Sequence, residues 1–401
     1  MKAWMRPAAA LFGVGFGANQ FSPLMVMYRE QGDYSDTVVA AFFGVYVLGL
    51  APGLLVGGPA SDRWGRRRVL LPATALAIPA SVVLGLGASA EPLLYAGRML
   101  FGVSMGVAMA VATTWVKELS DVDTAGSGAR RAALALTLGF GVGPLVGGPL
   151  AQYGPMPMEL PYLVHVLLMI PIVWGLRRGA ETAPADPSRS LWRDLRVPTA
   201  AHPRFLWLVL PAAPWVFGAA ALSYAVQPAL IAPSTGDRGM VVATGITVVS
   251  LAVGFAAQSV AKVIDRRSLH ATSRIGVGLV IAGTLVTTGV AATASVPLAF
   301  GAAVLLGAGY GFVLLSGLQE VQRIAPPEQL AGLTAVFYSL TYVGFMLPML
   351  LSALTPIAGY PVLLLVVAVV QAACLGLVWG GAHRIARARR SVAVERETAV
   401  A

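Results

Sequence analysis

The amino-acid sequence predicts an all-α membrane protein with twelve transmembrane helices in two pseudo-symmetric six-helix bundles. Of the 401 residues, 57% are hydrophobic and 11% are charged, whereas a water-soluble domain carries roughly 25% charged residues. The apolar residues form runs of about 20 residues, the length that crosses a bilayer as a helix. Several features of the first half also recur in the second half at a nearly constant spacing.

Apolar runs, separated by short polar or proline-containing segments, define the predicted spans. The shortest loop runs from Ala294 to Val296, and the division there depends on Pro297. The predicted spans are 7–28, 37–60, 69–88, 92–116, 131–153, 160–176, 205–231, 240–261, 275–294, 297–319, 329–353 and 361–381.

Basic residues predict the orientation of the chain. The net charge of +10 could indicate a nucleic-acid partner, but the Lys and Arg residues form short clusters between apolar runs. We therefore expect the basic residues to flank segments in a lipid bilayer, and we expect no nucleic-acid partner. With the N-terminus inside, only Arg29, Arg98 and Arg238 among 28 Lys and Arg residues lie outside the cytoplasmic segments. The positive-inside rule then places both termini in the cytoplasm. The Arg-, Ala- and Gly-rich composition suggests a bacterial cytoplasmic membrane.

A long polar interruption divides the chain near its middle and contains the sequence Glu-Thr-Ala-Pro-Ala-Asp-Pro-Ser from Glu181 onward. Such a segment is typical of a linker. The predicted organisation is an N-terminal six-helix bundle at 1–176, a cytoplasmic linker at 177–204, a C-terminal six-helix bundle at 205–383 and a basic cytoplasmic tail at 384–401.

The two predicted bundles share features spaced by 203 to 205 residues. Such a repeat is typical of transporters in which a site forms at the repeat interface and opens alternately to the two sides. The recurring residues are Asp62-Arg63 with Asp265-Arg266, Gly102 and Gly106 with Gly307 and Gly311, and Pro144 with Pro348.

A charged turn follows the second span. It reads Gly-Pro-Ala-Ser-Asp-Arg-Trp-Gly-Arg-Arg-Arg from Gly58 to Arg68. Gly65 allows a tight reversal, and the arginines can hold the loop at the anionic inner leaflet. Asp62, at the membrane edge, can pair with an arginine or with a helix N-terminus. A plain positive-inside anchor is the alternative, although it needs neither Asp62 nor Gly65.

Arg98 lies within the fourth span. If that helix begins near Pro92, Arg98 is about 9 Å inside it at 1.5 Å per residue. Because a charge at that depth is costly, Arg98 is a candidate functional residue, and snorkelling to the outer surface is the alternative. The nearby Gly102-Val103-Ser104-Met105-Gly106 matches the esterase nucleophile elbow. We reject that role because the serine is predicted in a helix rather than at a strand-to-helix turn.

Glycine and proline are concentrated in the fifth span, which implies a kink and close backbone contact with a neighbouring helix. A purely structural kink is the alternative. The residues are Gly139, Gly141, Gly143, Pro144, Gly147, Gly148 and Pro149.

Three of these motifs resemble those of the major facilitator superfamily, in particular its twelve-span drug:proton antiporters. The charged turn resembles the superfamily's signature loop, which implies a gating role for Asp62 supported by Gly58, Arg63, Gly65 and Arg66. In the second copy, Ser268 replaces the glycine.

Two further correspondences concern transport and its direction. Arg98 with Gly102 resembles the fourth-span motif linked to proton transfer, although Phe101 replaces the usual glutamine. The pattern of Gly139, Gly143-Pro144 and Gly147-Gly148 resembles the antiporter motif, which implies an exporter.

Titratable groups are scarce within the predicted spans. None of the 18 acidic residues lies at the middle of a span, so the usual buried carboxylate for proton coupling is missing. Glu30 is a candidate if the first helix is longer than predicted, and Asp36 is expected to cap the second helix. His165, in the sixth span, is either a packed or bilayer-edge residue or a proton carrier.

Neutral polar residues provide candidate substrate contacts, because a cavity of aromatic rings and amides suits an amphipathic organic molecule. Hydrogen bonding between helices is the alternative for each of them. Tyr224 and Gln227 share one helix face, as do Tyr338 and Tyr342. The complete set is Asn19, Gln20, Tyr46, Tyr224, Gln227, Tyr310, Tyr338 and Tyr342.

We expect a proton-coupled exporter of small amphipathic molecules such as drugs or natural products, working by alternating access as a monomer. An importer or facilitator of a small nutrient or metabolite is the alternative; an enzyme, receptor or channel is less favoured. The sequence contains no metal-ligand cluster, catalytic dyad or phosphate-binding loop, so neither an enzyme nor a cofactor is expected. Cys374 is the single cysteine, which excludes disulfides within the chain.

Overall fold

The computed structural model describes residues 2–87, 90–120, 126–186, 188, 190–267 and 271–400, with side chains except at 192, 266–267 and 386–400. Its helices coincide with the predicted spans and extend beyond most of them. They are α1 (Met5–Glu30), α2 (Asp36–Trp64), α3 (Arg66–Leu86), α4 (Glu91–Glu118), α5 (Ser127–Tyr153), α6 (Leu160–Leu176), α7 (205–235), α8 (Gly239–Arg267), α9 (Ala271–Thr293), α10 (Val296–Ile324), α11 (Pro327–Leu354) and α12 (Tyr360–Val400).

Nine helical stretches in the described part of the chain are long and apolar enough to cross a membrane, and one of them, Phe205–Asp265, covers α7 and all but the last two residues of α8. Helix α6 is apolar but has only 17 residues, and α1 is not among the nine. Nearly every residue of α1 from Pro7 to Tyr28 is buried. Because neighbouring helices cover it, α1 does not need the apolar surface that contact with lipid requires.

Local signals fix several helix ends. Ser35, rather than the expected Asp36, caps α2, because its hydroxyl accepts a hydrogen bond from the Val38 amide; Asp36 instead pairs with Arg29. Gly65 separates α2 from α3 with a φ of 102°, a conformation that glycine adopts without steric cost. Helix α12 continues through the segment predicted as a separate tail.

Glycines let helices pack closely within each half of the molecule. In the N-terminal half (α1–α6), a Cβ at Gly102 would lie 2.1 Å from the carbonyl oxygen of Tyr46 on α2. In the C-terminal half (α7–α12), a Cβ at Gly307 would lie 2.5 Å from the carbonyl oxygen of Ser250 on α8. The repeated glycines therefore make equivalent contacts, α4 on α2 and α10 on α8.

The two halves meet mainly through α2 with α11 and through α5 with α8. The two opposite ends of the helix bundle are named as follows. The terminal end is the one that holds Arg66 and Glu118, and the far end is the one that holds Thr37 and Asp237. At the far end, the Thr37 and Ser352 hydroxyls lie 2.9 Å apart, and the Gln152 amide donates to the Asp237 carbonyl oxygen at 2.7 Å. The far ends of the two halves are thus in direct contact.

Candidate functional site

The charged turn at the terminal end is organised around Arg66, whose side chain is mostly buried. Its guanidinium pairs with Asp62 one turn earlier and with Glu118 at the end of α4, where the Nη2 to Oε1 distance is 2.8 Å. It also donates to the Ser61 hydroxyl at 2.6 Å. Arg66 therefore ties the end of α2 to the end of α4, with Asp62 as one of two carboxylate partners.

The linker contributes a carboxylate to the same turn. The Glu181 side chain accepts hydrogen bonds from the backbone amides of Arg66 at 2.8 Å and Arg67 at 3.0 Å. It thus satisfies two of the amides left free at the start of α3 and complements the helix dipole. Thr182 donates to Glu118, the partner of Arg66. Glu181 lies beside Gly65, where a Cβ would come within 2.8 Å of its Oε2 atom.

Sequence reasoning missed Glu118 and Glu181, since neither belongs to the motif around Asp62. Glu118 could have been found from the glycine spacing that brings α4 against α2. For Glu181 no such signal exists, because a carboxylate in a polar linker has no distinctive pattern.

A second charge cluster lies at the terminal end of the C-terminal half. Arg323 pairs with Asp265 of α8 and with Glu320 one turn earlier on α10. Arg204, just before α7, donates three hydrogen bonds to the Glu320 carboxylate, the shortest at 2.7 Å. Asp265 and Glu320 are both buried. The side chains of Arg266 and Arg267, and residue Ser268, lie outside the described part of the chain.

Both halves thus bring an aspartate and a glutamate together at the terminal end, with an arginine between them. In the N-terminal half the arginine comes from the turn, and in the C-terminal half it comes from α10. Each of these ion pairs joins residues of the same half.

Arg98 is fully enclosed in the N-terminal half and does not snorkel. Its residue is 1% exposed, and its Nε donates to the Phe42 carbonyl oxygen at 3.1 Å. The guanidinium carbon lies 4.2 Å from the centroid of the Phe21 ring and 4.6 Å from that of the Tyr46 ring. Such stacking on aromatic faces stabilises a desolvated cation.

The glycine face of α5 packs against α1. A Cβ would lie 2.4 Å from the Phe12 carbonyl oxygen at Gly139 and 2.2 Å from the Phe16 carbonyl oxygen at Gly143. The end of the motif reaches the other half, because a Cβ at Gly148 would lie 2.0 Å from the Thr244 hydroxyl oxygen on α8. The motif therefore joins α5 to both α1 and α8.

His165 is in the packed interior of the N-terminal half. Its Nε2 lies 2.9 Å from the Gly13 carbonyl oxygen, so Nε2 carries the hydrogen, and its Nδ1 lies 2.8 Å from the Ser81 hydroxyl. The ring stacks on Phe16 with centroids 5.8 Å apart. Both ring nitrogens of a neutral histidine are thus satisfied.

Glu30 ends α1 at the far end, so the first helix is longer than predicted. Its side chain reaches the start of α8 in the other half. A Cβ at Gly239, the first residue of α8, would lie 3.0 Å from the Glu30 Oε1 atom. The structure thus places Glu30 among the far-end contacts.

The candidate substrate contacts separate into two groups. Some bond within one half: Asn19 donates to Phe140 at 2.8 Å, Gln227 to Thr287 at 3.1 Å, and Tyr310 to Leu251 at 3.3 Å. Tyr224 is also buried. Neither amide atom of Gln20, which is fully buried, has a hydrogen-bond partner in the described part of the chain.

Other candidates form an aromatic layer where the halves meet. The ring of Tyr46 on α2 lies 6.4 Å from that of Tyr342 on α11. Tyr342 stacks on Phe217 of α7 with centroids 4.2 Å apart, and Phe43 contacts Phe345 at 4.7 Å. Tyr338 is partly buried against the same region. This layer is close to the short π-helical turn Leu222–Val226 of α7, and such turns are frequent at functional sites.

Comparison with known proteins yields one family and several distant relatives. The sequence model of the Major Facilitator Superfamily matches residues 8–349. The 3-(3-hydroxy-phenyl)propionate transporter of Escherichia coli K12 is 30% identical over 174 residues, 41% of each chain. Multidrug resistance protein MdtL of Escherichia coli O139:H28 is 32% identical over 140 residues, 35% of this chain and 31% of that protein. Both matches thus cover less than half of the relative.

Solved transporters share the fold. A mutant of the nucleoside transporter NupG superposes with a TM-score of 0.75 at 10% identity, covering 95% of this chain and 99% of that chain. A POT family transporter in complex with a thioalcohol-conjugated peptide superposes with a TM-score of 0.79 at 12% identity, covering 95% and 96%.

Proposed function

This chain belongs to the Major Facilitator Superfamily, and from that premise we propose that it is a proton-coupled exporter of small amphipathic organic molecules. As a multi-pass transporter of this superfamily, it binds small molecules within a lipid bilayer. The direction of transport, the coupling ion and the chemistry of the substrate are the parts that we propose.

The observation that carries the exporter assignment is the packing of α5. Its glycine face touches the α1 backbone, and Gly148 meets Thr244 of the other half. Because the glycines of α5 place no side chain of their own in these contacts, α5 packs closely on α1 and, through Gly148, on α8 of the other half. A tight far-end seal suits an exporter, which must not leak protons while its site faces the terminal end. The partial likeness to MdtL, whose name denotes multidrug resistance, supports the same direction.

Alternating access assigns complementary roles to the two ends. Contacts between the halves at the far end, such as Thr37 with Ser352, would form one gate. The charge clusters around Arg66 and Arg323 would form the other, and Asp62 would exchange partners as the terminal ends approach each other. Gln20, which has no hydrogen-bond partner in the described part of the chain, is available to a substrate or to a partner in another state.

Import of a small metabolite is the second candidate function. The partial likeness to the 3-(3-hydroxy-phenyl)propionate transporter favours it, since the name of that protein denotes an organic substrate and not a drug. The α5 motif distinguishes the two candidates.

Transport in inverted membrane vesicles tests the proposal. A panel of drugs and natural products is assayed with an imposed pH gradient, acidic inside the vesicle. For an exporter we expect uptake into these vesicles that collapses with a protonophore, and no uptake in vesicles that contain the Gly143→Leu variant. Uptake only into right-side-out vesicles would instead identify an importer.

A further inference from the structure

Arg98 is a buried cation without a carboxylate partner. In the described part of the chain it forms no ion pair, and the titratable groups that interact with it are the phenols of Tyr46, Tyr162 and Tyr28, which carry no charge at neutral pH. Arg66 at the terminal end, by contrast, pairs with two carboxylates. An unpaired charge in a low-dielectric interior is costly, and membrane proteins place such charges where a ligand or partner meets them.

The groups around Arg98 stabilise a cation only partly. A guanidinium carries five hydrogen-bond donors. Here Nε donates to the Phe42 carbonyl oxygen at 3.1 Å and Nη1 to the Ala18 carbonyl oxygen at 3.4 Å. In the described part of the chain Nη2 has no acceptor, so the outer edge of the guanidinium can still receive a bidentate anion.

Tyr46 lies between this cation and the surface where the halves meet. One face of its ring lies over Arg98, with 4.6 Å from guanidinium carbon to centroid, and its edge contacts Tyr342 of the other half. Separation of the halves would remove Tyr342 from Tyr46. Rotation of the Tyr46 side chain would then open a short path from the interface to Arg98, lined by aromatic rings.

We propose that the transported molecules are aromatic organic monoanions whose carboxylate binds Arg98 and whose ring stacks against Tyr46 and Tyr342. This inference rests on the proposed transport function, and it names the substrate class of that site. An anion would neutralise the buried charge, whereas a cation would meet a like charge with no carboxylate to offset it. A neutral molecule could fill the same aromatic space but would gain nothing from the charge.

Three matched compounds test the substrate charge: 4-phenylbutyrate, 4-phenylbutyramide and 4-phenylbutylamine share one skeleton and differ in the end group. Their binding to the full-length protein in lipid nanodiscs is measured by titration calorimetry at pH 7.5, with empty nanodiscs as the blank. We expect the carboxylate to bind at least about tenfold more tightly than the amide, a difference of about 1.4 kcal/mol, and the amine to bind most weakly.

Variants test the role of the residue. Arg98→Gln should lower the affinity for 4-phenylbutyrate to that for the amide and leave the amide within about threefold, while Arg98→Lys should retain part of the preference. Arg238→Gln, which removes the same charge from an exposed turn at the far end, is the matched control and should change nothing. If Arg98→Gln does not fold, Arg98→Lys and the comparison of the three compounds on the wild-type protein still test the inference.

Equal binding of the three compounds, a preference for the amine, or an anion preference that survives in Arg98→Gln would overturn the inference. Because these measurements use no gradient, they are independent of transport direction. Selective anion binding without pH-driven uptake would refute the proposed exporter and leave the binding site standing. Export of the amine in preference to the carboxylate would support the proposed exporter and refute the anion-binding site at Arg98.

Discussion

Two arginines show how the same side chain serves different purposes at different depths. Arg66 lies at a helix end, where two carboxylates, a hydroxyl and a linker residue surround its turn. Arg98 lies inside a helix bundle and is held by carbonyl oxygens and aromatic faces. Arg66 can exchange partners when the helix ends move, whereas Arg98 holds a buried charge that a ligand can pair with.

The role of Asp62 can be tested by replacing its carboxylate with a neutral amide of nearly the same size. Asp62→Asn leaves Arg66 bound to Glu118 and Ser61, so the turn should still fold. We expect slower transport with substrate affinity within a few fold, because Asp62 lies in the turn and not in the aromatic layer. Transport rates and binding constants are measured on the same preparation. Loss of binding while cysteine accessibility at both ends stayed unchanged would contradict a gating role.

Glu181 offers a test of the linker as part of this turn. Loss of a helix cap typically costs about 0.5–2 kcal/mol, so Glu181→Ala should lower the thermal unfolding temperature of the purified protein. Glu181→Gln keeps one acceptor oxygen for the amides of Arg66 and Arg67 and should have a smaller effect. An unfolding temperature unchanged in both variants would show that the contact contributes no stability.

Helix α5 shows how glycines, which have no side chain, allow two helices to pack closely. Gly139 and Gly143 are one turn apart and both meet carbonyl oxygens of α1. Gly141 lies on another face of the same helix, where a Cβ would have no atom within 4 Å. The motif therefore contains glycines that packing requires and one that it does not.

This difference provides a matched pair of variants. Gly143→Leu should abolish efflux while the protein still inserts into the membrane, because the side chain would push α5 away from α1. Gly141→Leu adds the same side chain to an open face and should retain most of the activity. Expression, insertion and proton-coupled efflux are measured for both. Normal efflux by a properly folded Gly143→Leu variant would refute the assigned role of the motif.

For the molecule as a whole, transport requires the far ends of the two halves to separate. Thr37 and Ser352 bring hydroxyls from α2 and α11 within 2.9 Å, close enough for replacement by a disulfide pair. In a Cys374→Ser background, oxidation of Thr37→Cys/Ser352→Cys should block transport, and a reductant should restore it. Each single cysteine variant is the control. Full transport by the cross-linked protein would show that this contact does not open during the cycle.

The sequence by itself determined the helices, the repeat and the close packing of the glycine-rich α5. Span length and hydropathy are local properties, and a helix in lipid must satisfy its own backbone, so these features follow from the residues in order. The recurrence of Gly102 and Gly106 as Gly307 and Gly311 likewise indicated a repeated unit, and in the structure the paired glycines make equivalent helix contacts.

Only the tertiary structure decided which polar groups meet. The partners of Arg66 come from α4 and from the linker, far away in sequence, and the partners of Arg98 are backbone carbonyls that carry no sequence signal. The rotation of each helix also decided that Tyr46 and Tyr342 lie between the halves while Gln227 bonds within one half. Hydropathy cannot fix these rotations, because buried helices such as α1 are enclosed by protein on almost all sides.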